Sequence, residues 1–492
     1  MTKPCAPWFF LGALALIAVR SLTHVSRSPD EFNFGGEWDA LITAKQYVLH
    51  SFFQNNFLSF SASYDPVKQH VDIWRYTHYP LFQYLPTIVL ARYFGATYSA
   101  QFMLGNLVYL IAFAFVLFEI FRRDLTEKRA ALLSLLLLCL CYMGYWRMIL
   151  GSLGTPYTIE IVVAPLLVYG VVRKQYLWLA LGFAVLCLDT YDAFIPCVLC
   201  LGALGLMKKQ KKYLLLALAL PLLSLGLRFS ANVSYYQSPQ LVAGDLLNAF
   251  GQRSSGCTLD KNQTVENVRN YGATPACSIE ARAEKHLARV LQGIKQLPAD
   301  CYISYSYGTL FFVYALLRAL YSFARAVRAR ARIEYGPVFI ALYCVGTALF
   351  GLLLPESMLL GGWTFFDLMP VMIWGMAMLY EGLLPLWESV PLGLWASRAV
   401  LLAALFVIAR RNGVPAALSD REVDRFTAAR LACDNHGAAA IRTNLDYHYF
   451  AYLCSSEGYK LAYTERKPGE ESFVVIPGFH AIHLGDVRIR GK

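Results

Sequence analysis

Four carboxylates fall within ten residues in the run Asp30-Glu31-Phe32-Asn33-Phe34-Gly35-Gly36-Glu37-Trp38-Asp39. A carboxylate that stays ionised can take the proton of an attacking hydroxyl, provided it comes within hydrogen-bond reach. Further on, Trp74-Arg75-Tyr76-Thr77-His78-Tyr79-Pro80-Leu81 interleaves cations with aromatic rings. Cations of that kind suit phosphate oxygens, and aromatic rings suit the edge of a bilayer. Taken singly, the two segments read as a solvated acidic loop and an aromatic interface belt. Taken together, they suit a reaction whose acceptor needs a general base and whose donor leaves as a lipid phosphate.

The elements that carry these residues are set by hydrophobicity. Of 492 residues, 57% are hydrophobic and 16% charged, well below the quarter or so charged that soluble chains carry. Mean hydropathy is +0.43. Apolar runs of about 18 to 22 residues, each long enough to cross about 30 Å of hydrocarbon as a helix, recur along the chain. The sequence predicts an all-α polytopic membrane protein with about 11 transmembrane helices. The runs are 6-22, 99-121, 130-147, 157-172, 176-190, 193-207, 213-230, 303-322, 335-354, 364-384 and 391-409. The formal charge of +11 would favour a nucleic-acid partner in a soluble protein. Here the basic clusters Arg122-Arg123, Arg173-Lys174, Lys208 to Lys212 and Arg325 to Arg332 fall in alternate loops, the pattern of cytoplasmic loops, so no nucleic-acid partner is expected.

That alternation turns three long segments outward: 23-98, 231-302 and the tail from Asn412. All nine histidines lie in them. So do two Asn-X-Ser/Thr triplets, Asn232-Val233-Ser234 and Asn262-Gln263-Thr264, which count only where the host glycosylates outward loops. Of the cysteines outside the apolar runs, Cys257 with Cys277 and Cys433 with Cys454 are the expected pairs, each closing a loop of about twenty residues. After Asp39 the residues Leu41, Ile42, Ala44, Val48, Leu49, Phe52 and Phe53 can line one broad face, which predicts an amphipathic helix lying in the interface. The tail carries short alternating stretches such as Phe473-Val474-Val475-Ile476, which read as strands. The expected organisation is a transmembrane domain over 1-411 and a small outward-facing α/β domain over 412-492.

The N-terminal portion resembles a known family. The first span, the acidic loop, the amphipathic segment, His78-Tyr79-Pro80-Leu81-Phe82-Gln83-Tyr84-Leu85 and Arg92-Tyr93-Phe94-Gly95 are similar to the start of GT-C fold glycosyltransferases, in particular the protein mannosyltransferase and aminoarabinose transferase group. Arg122-Arg123-Asp124, Lys128-Arg129-Ala130-Ala131-Leu132-Leu133 and Tyr145-Trp146-Arg147 extend the likeness. The resemblance implies inverting transfer of a sugar from a polyprenyl-phosphate carrier to a glycolipid, glycan or protein acceptor on the outer face. It implies that an acid of the first outward loop is the base, Asp39 first, with Glu37, Asp30 and Glu31 as competitors. His78, Arg75, Arg147 and Tyr79 would then hold the carrier phosphate. The resemblance also leads one to expect a second outward acid after Arg147, where the sequence instead reads Gly151-Ser152-Leu153-Gly154-Thr155-Pro156-Tyr157. Glu160 is the nearest carboxylate, and Asp189 and Asp192 in the next outward tip are candidates for the second acid or a sugar contact, because acids at span ends are costly and are kept for function.

Two other classes fit part of this pattern. A transporter or flippase for a lipid-linked sugar would place polar residues and broken helices near the bilayer midplane, commonly in two related halves, whereas here the mid-span residues are mostly apolar and the acids crowd one face. A sugar polymerase or ligase of another membrane fold would depend on a large late outward loop, and 231-302 is such a loop. No cofactor or metal-ligand signature is present in the sequence, and a divalent-metal requirement leaves no mark in it. The expected location is a bacterial inner membrane with a periplasmic site, the alternative being the endoplasmic reticulum membrane with a lumenal one.

Overall fold

A computed structural model describes residues 35–65, 70–95, 115–120, 156–259, 263–264, 268, 274–305, 308–356, 368–389, 440–443, 461–465, 473–475 and 482–483. The chain divides into two compact units: Val19–Asn106, Leu150–Thr155 and Asn412–Lys492 form one, and Met1–Ala18, Leu107–Ile149 and Pro156–Arg411 the other. Asp30, Glu31, Arg147, the expected spans 6-22, 130-147 and 391-409, most of 99-121, and the Cys433 and Cys454 pair lie outside the described residues.

In the first unit, helix α1 (Gly35–Leu49) is followed by strands β1 (Leu58–Asp65) and β2 (His70–Pro80), a single 3-10 turn (Leu81–Tyr84) and helix α2 (Leu85–Phe94). The tail adds β3 (Ala440–Thr443), β4 (Leu461–Glu465), β5 (Phe473–Val475) and β6 (Ile482–His483). All six strands form one sheet in the order β1-β2-β4-β3-β5-β6, antiparallel except for the β3/β4 pair. The tail strands expected as a separate small domain therefore extend a hairpin of the first outward segment. That hairpin has a signal in the sequence: Leu58, Phe60 and Ala62 alternate with Ser59, Ser61 and Ser63 at the period of a strand.

The hairpin changes what α1 does. Its buried residues are Ala40, Leu41, Ile42, Thr43, Ala44, Gln46 and Tyr47, whereas Val48, Leu49 and Phe53 of the expected membrane-facing set are exposed. The helix is covered by protein, β1 on one side and α2 on another. The Thr43 hydroxyl donates to the Phe60 carbonyl at 3.1 Å and accepts the Phe60 N–H at 2.8 Å. One turn on, the Tyr47 hydroxyl donates to the Leu58 carbonyl at 2.8 Å. Edge groups of β1 are thus satisfied by side chains of the helix, which a buried strand edge requires. Helix α2 begins with Pro86 in its first turn and ends at Gly95, in the left-handed region at φ 58°. Arg92 in its last turn donates to the carbonyls of Tyr47 and, at 2.8 Å, His50, capping the end of α1.

The second unit is helical among the described residues. It comprises α3 (Pro156–Val172), α4 (Tyr176–Asp189), α5 (Phe194–Lys208), α6 (Lys211–Tyr236), α7 (Pro239–Ser255), α8 (Ile279–Tyr305), α9 (Gly308–Arg328), α10 (Tyr335–Leu353) and α11 (Met369–Ser389). Helices α6 and α10 are long and apolar enough to cross a membrane; α4 and α5, at 14 and 15 residues, reach only about 21 to 23 Å. Leu215, Leu218, Leu222 and Leu223 of α6 are exposed, as a lipid-facing flank requires. The helices pair closely: α3 with α4, α5 with α6 and α10, α9 with α11. Where α10 crosses α5, a Cβ on Gly346 would come within 2.8 Å of the Pro196 backbone. The Tyr335 hydroxyl donates to the Cys200 carbonyl at 2.8 Å in the same interface.

In the segment 231–302, expected to face outward, α7 carries a polar seam. Asp245, Asn248 and Gln252, each buried, follow one another at a spacing of three and four. Asp245 accepts from the Thr264 hydroxyl at 2.6 Å, Asn248 accepts the Leu259 N–H at 3.0 Å and Gln252 donates to Thr274. The loop so held is closed by the expected Cys257–Cys277 disulfide. Asn232, the acceptor of the first triplet, is buried within α6, and Asn262, the acceptor of the second, lies outside the described residues.

Because the α5/α10 crossing depends on Gly346 lacking a side chain, Gly346→Val should cost about 1–3 kcal/mol and lower the thermal unfolding midpoint in detergent. Gly226, with nothing within 4 Å of a built Cβ, is the control: Gly226→Ala should leave the midpoint unchanged or raise it. Equal behaviour of the two variants would contradict the crossing.

Candidate functional site

The expected acids of the first outward segment are carried by α1. Glu37 and Asp39 both lie within its first turns. Asp39 is half-buried and one turn before Thr43, on the side of α1 that meets the hairpin. Position Asp39 is therefore fixed to the sheet by the Thr43 and Tyr47 bonds that follow it on the same face. Burial also pushes the Tyr47 phenol far up, which keeps it a neutral donor to the strand.

The cationic stretch is a strand rather than the run into a helix that its composition suggests, and its helix starts only at Leu85. In the β1/β2 ladder Ser59 faces Tyr76 whereas Leu58 faces Pro80, so Thr77, His78 and Tyr79 are left without counterparts. This is a bulge at the end of β2, the device that re-aims side chains at the rim of a sheet. Arg75 lies just before it. Its guanidinium donates to the Gln54 carbonyl at 3.3 Å and stands 5.6 Å from the centroid of the Phe60 ring. A half-buried cation therefore sits on an aromatic ring beside the bulge that carries His78 and Tyr79.

In the helical unit, the structure brings the other two acids together with arginines that the sequence reading did not name. Asp189 closes α4 and is fully buried; neither carboxylate oxygen has a hydrogen-bond partner among the described residues. Arg228 of α6 stands beside it. Its Nη2 donates to the carbonyls of Cys187 and Leu188 at 3.1 and 3.2 Å, and its guanidinium lies 3.8 Å from the centroid of the Tyr191 ring. Ser224, one turn earlier in α6, donates to the same Cys187 carbonyl. Nε and Nη1 of Arg228 are buried without a partner among the described residues. The end of α4 is thus capped from α6 by a cation that keeps part of its hydrogen-bonding capacity in reserve.

Asp192 completes the cluster from the tip between α4 and α5, where its backbone N–H donates to the Thr190 hydroxyl at 3.2 Å. Burial pushes its carboxyl up from 3.8 to about 6, against the opposing pull of Arg253, a hydrogen bond from Thr190 and Arg228. Asp189 and Arg228 thus meet at the end of α4, and Asp192, at the neighbouring tip, lies within electrostatic reach of Arg228 and of Arg253 from α7. Glu160 lies in α3, away from this tip in the chain. Arg228 had one sequence signal, a charge inside the apolar run 213-230; Arg253 had none, because its place depends on how α7 folds back. Among the described residues no group of three or more His, Cys, Asp or Glu side chains is arranged to hold a metal ion.

No protein-family profile and no curated protein sequence matches the chain. Several solved structures resemble it, two of them as follows. One is the archaeal oligosaccharyltransferase AglB from Archaeoglobus fulgidus, in complex with an inhibitory peptide and a dolichol-phosphate, at a TM-score of 0.45 and 12% identity over 92% of this chain and 64% of that one. The other is ArnT from Cupriavidus metallidurans in the apo state, at a TM-score of 0.37 and 13% identity over 92% of this chain and 85% of that one. Both are GT-C fold membrane glycosyltransferases. The chain spans less than two thirds of the length of the oligosaccharyltransferase.

The raised Asp192 carboxyl has a signed consequence. Its native form holds a proton more tightly than the unfolded chain does, so stability falls as pH rises from about 3.8 to about 6 and levels off above. Asp192→Asn should remove that component. Unfolding midpoints recorded from pH 4 to 8 should diverge between wild type and variant across this window, with the variant gaining as pH rises; parallel curves would contradict the assignment.

Proposed function

We propose that the chain is a membrane glycosyltransferase of the GT-C type. It moves a sugar from a polyprenyl-phosphate carrier to an acceptor hydroxyl on the outer face of its membrane, with inversion at the anomeric carbon. The observation that carries the reading is the cluster of Asp189, Asp192, Arg228 and Arg253. Paired acids beside guanidinium groups recognise the hydroxyls and negative charge of a sugar phosphate, and they cost too much in hydrocarbon to be kept without use. By the alternation of basic loops, this cluster belongs to the outward end of the spans. A transporter would concentrate such groups at the midplane.

In the first outward segment, Asp39 is the proposed base. A carboxylate fixed on a helix that is itself bonded to a strand is held in position at no entropic cost during the reaction, which is what proton abstraction in the transition state requires. Glu37, Asp30 and Glu31 are the other acids of this segment. His78, Arg75 and Tyr79, at and beside the bulge, together with Arg147, are proposed to hold the carrier phosphate. Cations aimed at the leaving phosphate stabilise the charge that develops as the glycosidic bond breaks. Asp189 and Asp192 are proposed as contacts to sugar hydroxyls, with Glu160 a lesser candidate. A bacterial inner membrane with a periplasmic site is the proposed location, and the acceptor is a glycan, lipid or protein.

The test is donor cleavage by purified full-length protein offered radiolabelled polyprenyl-phosphate sugars together with membrane extract as the acceptor source. Wild type should cleave at least one donor, and Asp39→Asn should lose about 10²–10⁴-fold in rate while still binding it. A near wild-type rate in the variant moves the base to another acid of the segment. Binding without cleavage in wild type would sink the transferase reading in favour of transport.

A further inference from the structure

Helix α8 is too polar to cross a bilayer and too apolar on one side to stand free in water. Seven Lys, Arg, Asp and Glu residues lie between Glu280 and Asp300. One side of the helix is fastened to α7: the His286 ring nitrogen Nδ1 lies 3.0 Å from the Ser254 carbonyl, Arg289 donates to the Gln252 carbonyl at 2.7 Å, and Val290 is buried between them. Next to that side, Leu287, Leu291 and Ile294 follow one another at helical spacing and are 58%, 51% and 48% exposed. The rest of the circumference, at Glu284, Lys285, Gln292 and Lys295, is polar and exposed. The helix therefore has three sides: one bonded to protein, one apolar and uncovered, one charged.

We propose that α8 lies in the plane of the membrane interface with Leu287, Leu291 and Ile294 buried in the outer leaflet. A pronounced apolar side, a charged opposite side and low overall hydrophobicity are the signature of a helix that lies on a bilayer rather than across it. The connections leave lipid as the neighbour. Only two residues separate α8 from α9, an apolar helix over an expected span, and only two separate α6, whose leucines face outward along its length, from α7. The α7–α8 pair is thus tethered at both ends to membrane helices. On α7, Leu247 and Phe250 are likewise exposed, at 53% and 46%. The Cys257–Cys277 disulfide and the two bonds from α8 to the end of α7 keep the pair from turning the apolar side away. If α8 stood upright instead, Leu287 would lie about 24 Å from the start of the span at residue 303, beyond any contact with acyl chains.

The experiment is site-directed spin labelling of full-length protein in vesicles of phosphatidylethanolamine and phosphatidylglycerol. Leu287→Cys, Leu291→Cys and Ile294→Cys are made singly, with Gln292→Cys and Lys295→Cys on the charged side as references and unsubstituted protein as the background. All five positions are exposed, so the substitutions leave the core intact. The expected result is that oxygen, which concentrates in lipid, relaxes labels at 287, 291 and 294 more than a water-soluble nickel chelate does, with the order reversed at 292 and 295. Preference for nickel at every position would overturn the proposal. Labels at 287, 291 and 294 shielded from both reagents, with or without spin–spin broadening, would also overturn it, since the stripe would then be covered by a second copy or another protein.

Discussion

Hydrocarbon offers no hydrogen bonds, and most of what this chain does follows from where it lets polar groups go. Among the described residues the backbone of the apolar runs is satisfied inside helices, and charged side chains such as Asp189 and Arg228 gather at helix ends. Arg228 illustrates the constraint. It sits in an otherwise apolar helix, and its guanidinium reaches the end of α4, where it caps two carbonyls and faces a buried acid. A cation placed there answers the unpaired carbonyls and the acid at once. The partners it lacks are the kind that a bound polar ligand supplies.

The outward segments follow the same rule by other means. In the first, α1 satisfies the edge of β1 with Thr43 and Tyr47, and Arg92 caps α1 in return. In the later one, Asp245, Asn248 and Gln252 hold the disulfide-closed loop. In each segment side chains spaced about one turn apart on a single helix hold the neighbouring chain, at backbone groups of β1 in the first and at one backbone N–H and two threonine hydroxyls in the second. Such scaffolds are rigid, and rigid scaffolds are what precise placement of an acid requires.

Much of this was legible in the sequence, and the rest was not, for physical reasons. The helices over 156–172, 194–208 and 335–353 follow directly from uninterrupted apolar runs, because such runs have few other ways to satisfy their backbone. The Cys257–Cys277 pair is the one expected from loop length, although spacing alone does not decide a pairing, and the structure contains it. The hairpin did not emerge, although Leu58 to Ser63 alternates, because aromatic and basic residues over 74–79 read equally well as an interface belt. The covered face of α1 differs from the expectation for a related reason: a hydrophobic side says that something covers it, and here the cover is the hairpin and not lipid. Asp189 and Asp192 were visible as acids at a span end. Their arginine partners come from α6 and α7, dozens of residues away, and no local pattern announces a contact of that separation.

On the proposed reading the chemistry takes place on the outer face, with a lipid phosphate as leaving group. The decisive measurement is a cryo-electron microscopy structure of the full-length protein with a non-cleavable phosphonate analogue of a polyprenyl-phosphate sugar. The phosphonate is expected at the outward ends of the membrane helices, within hydrogen-bond reach of a guanidinium or imidazole, with a carboxylate facing the anomeric carbon from the side opposite the leaving group. An analogue lodged near the middle of the bilayer, with no carboxylate at its anomeric carbon, would contradict that reading.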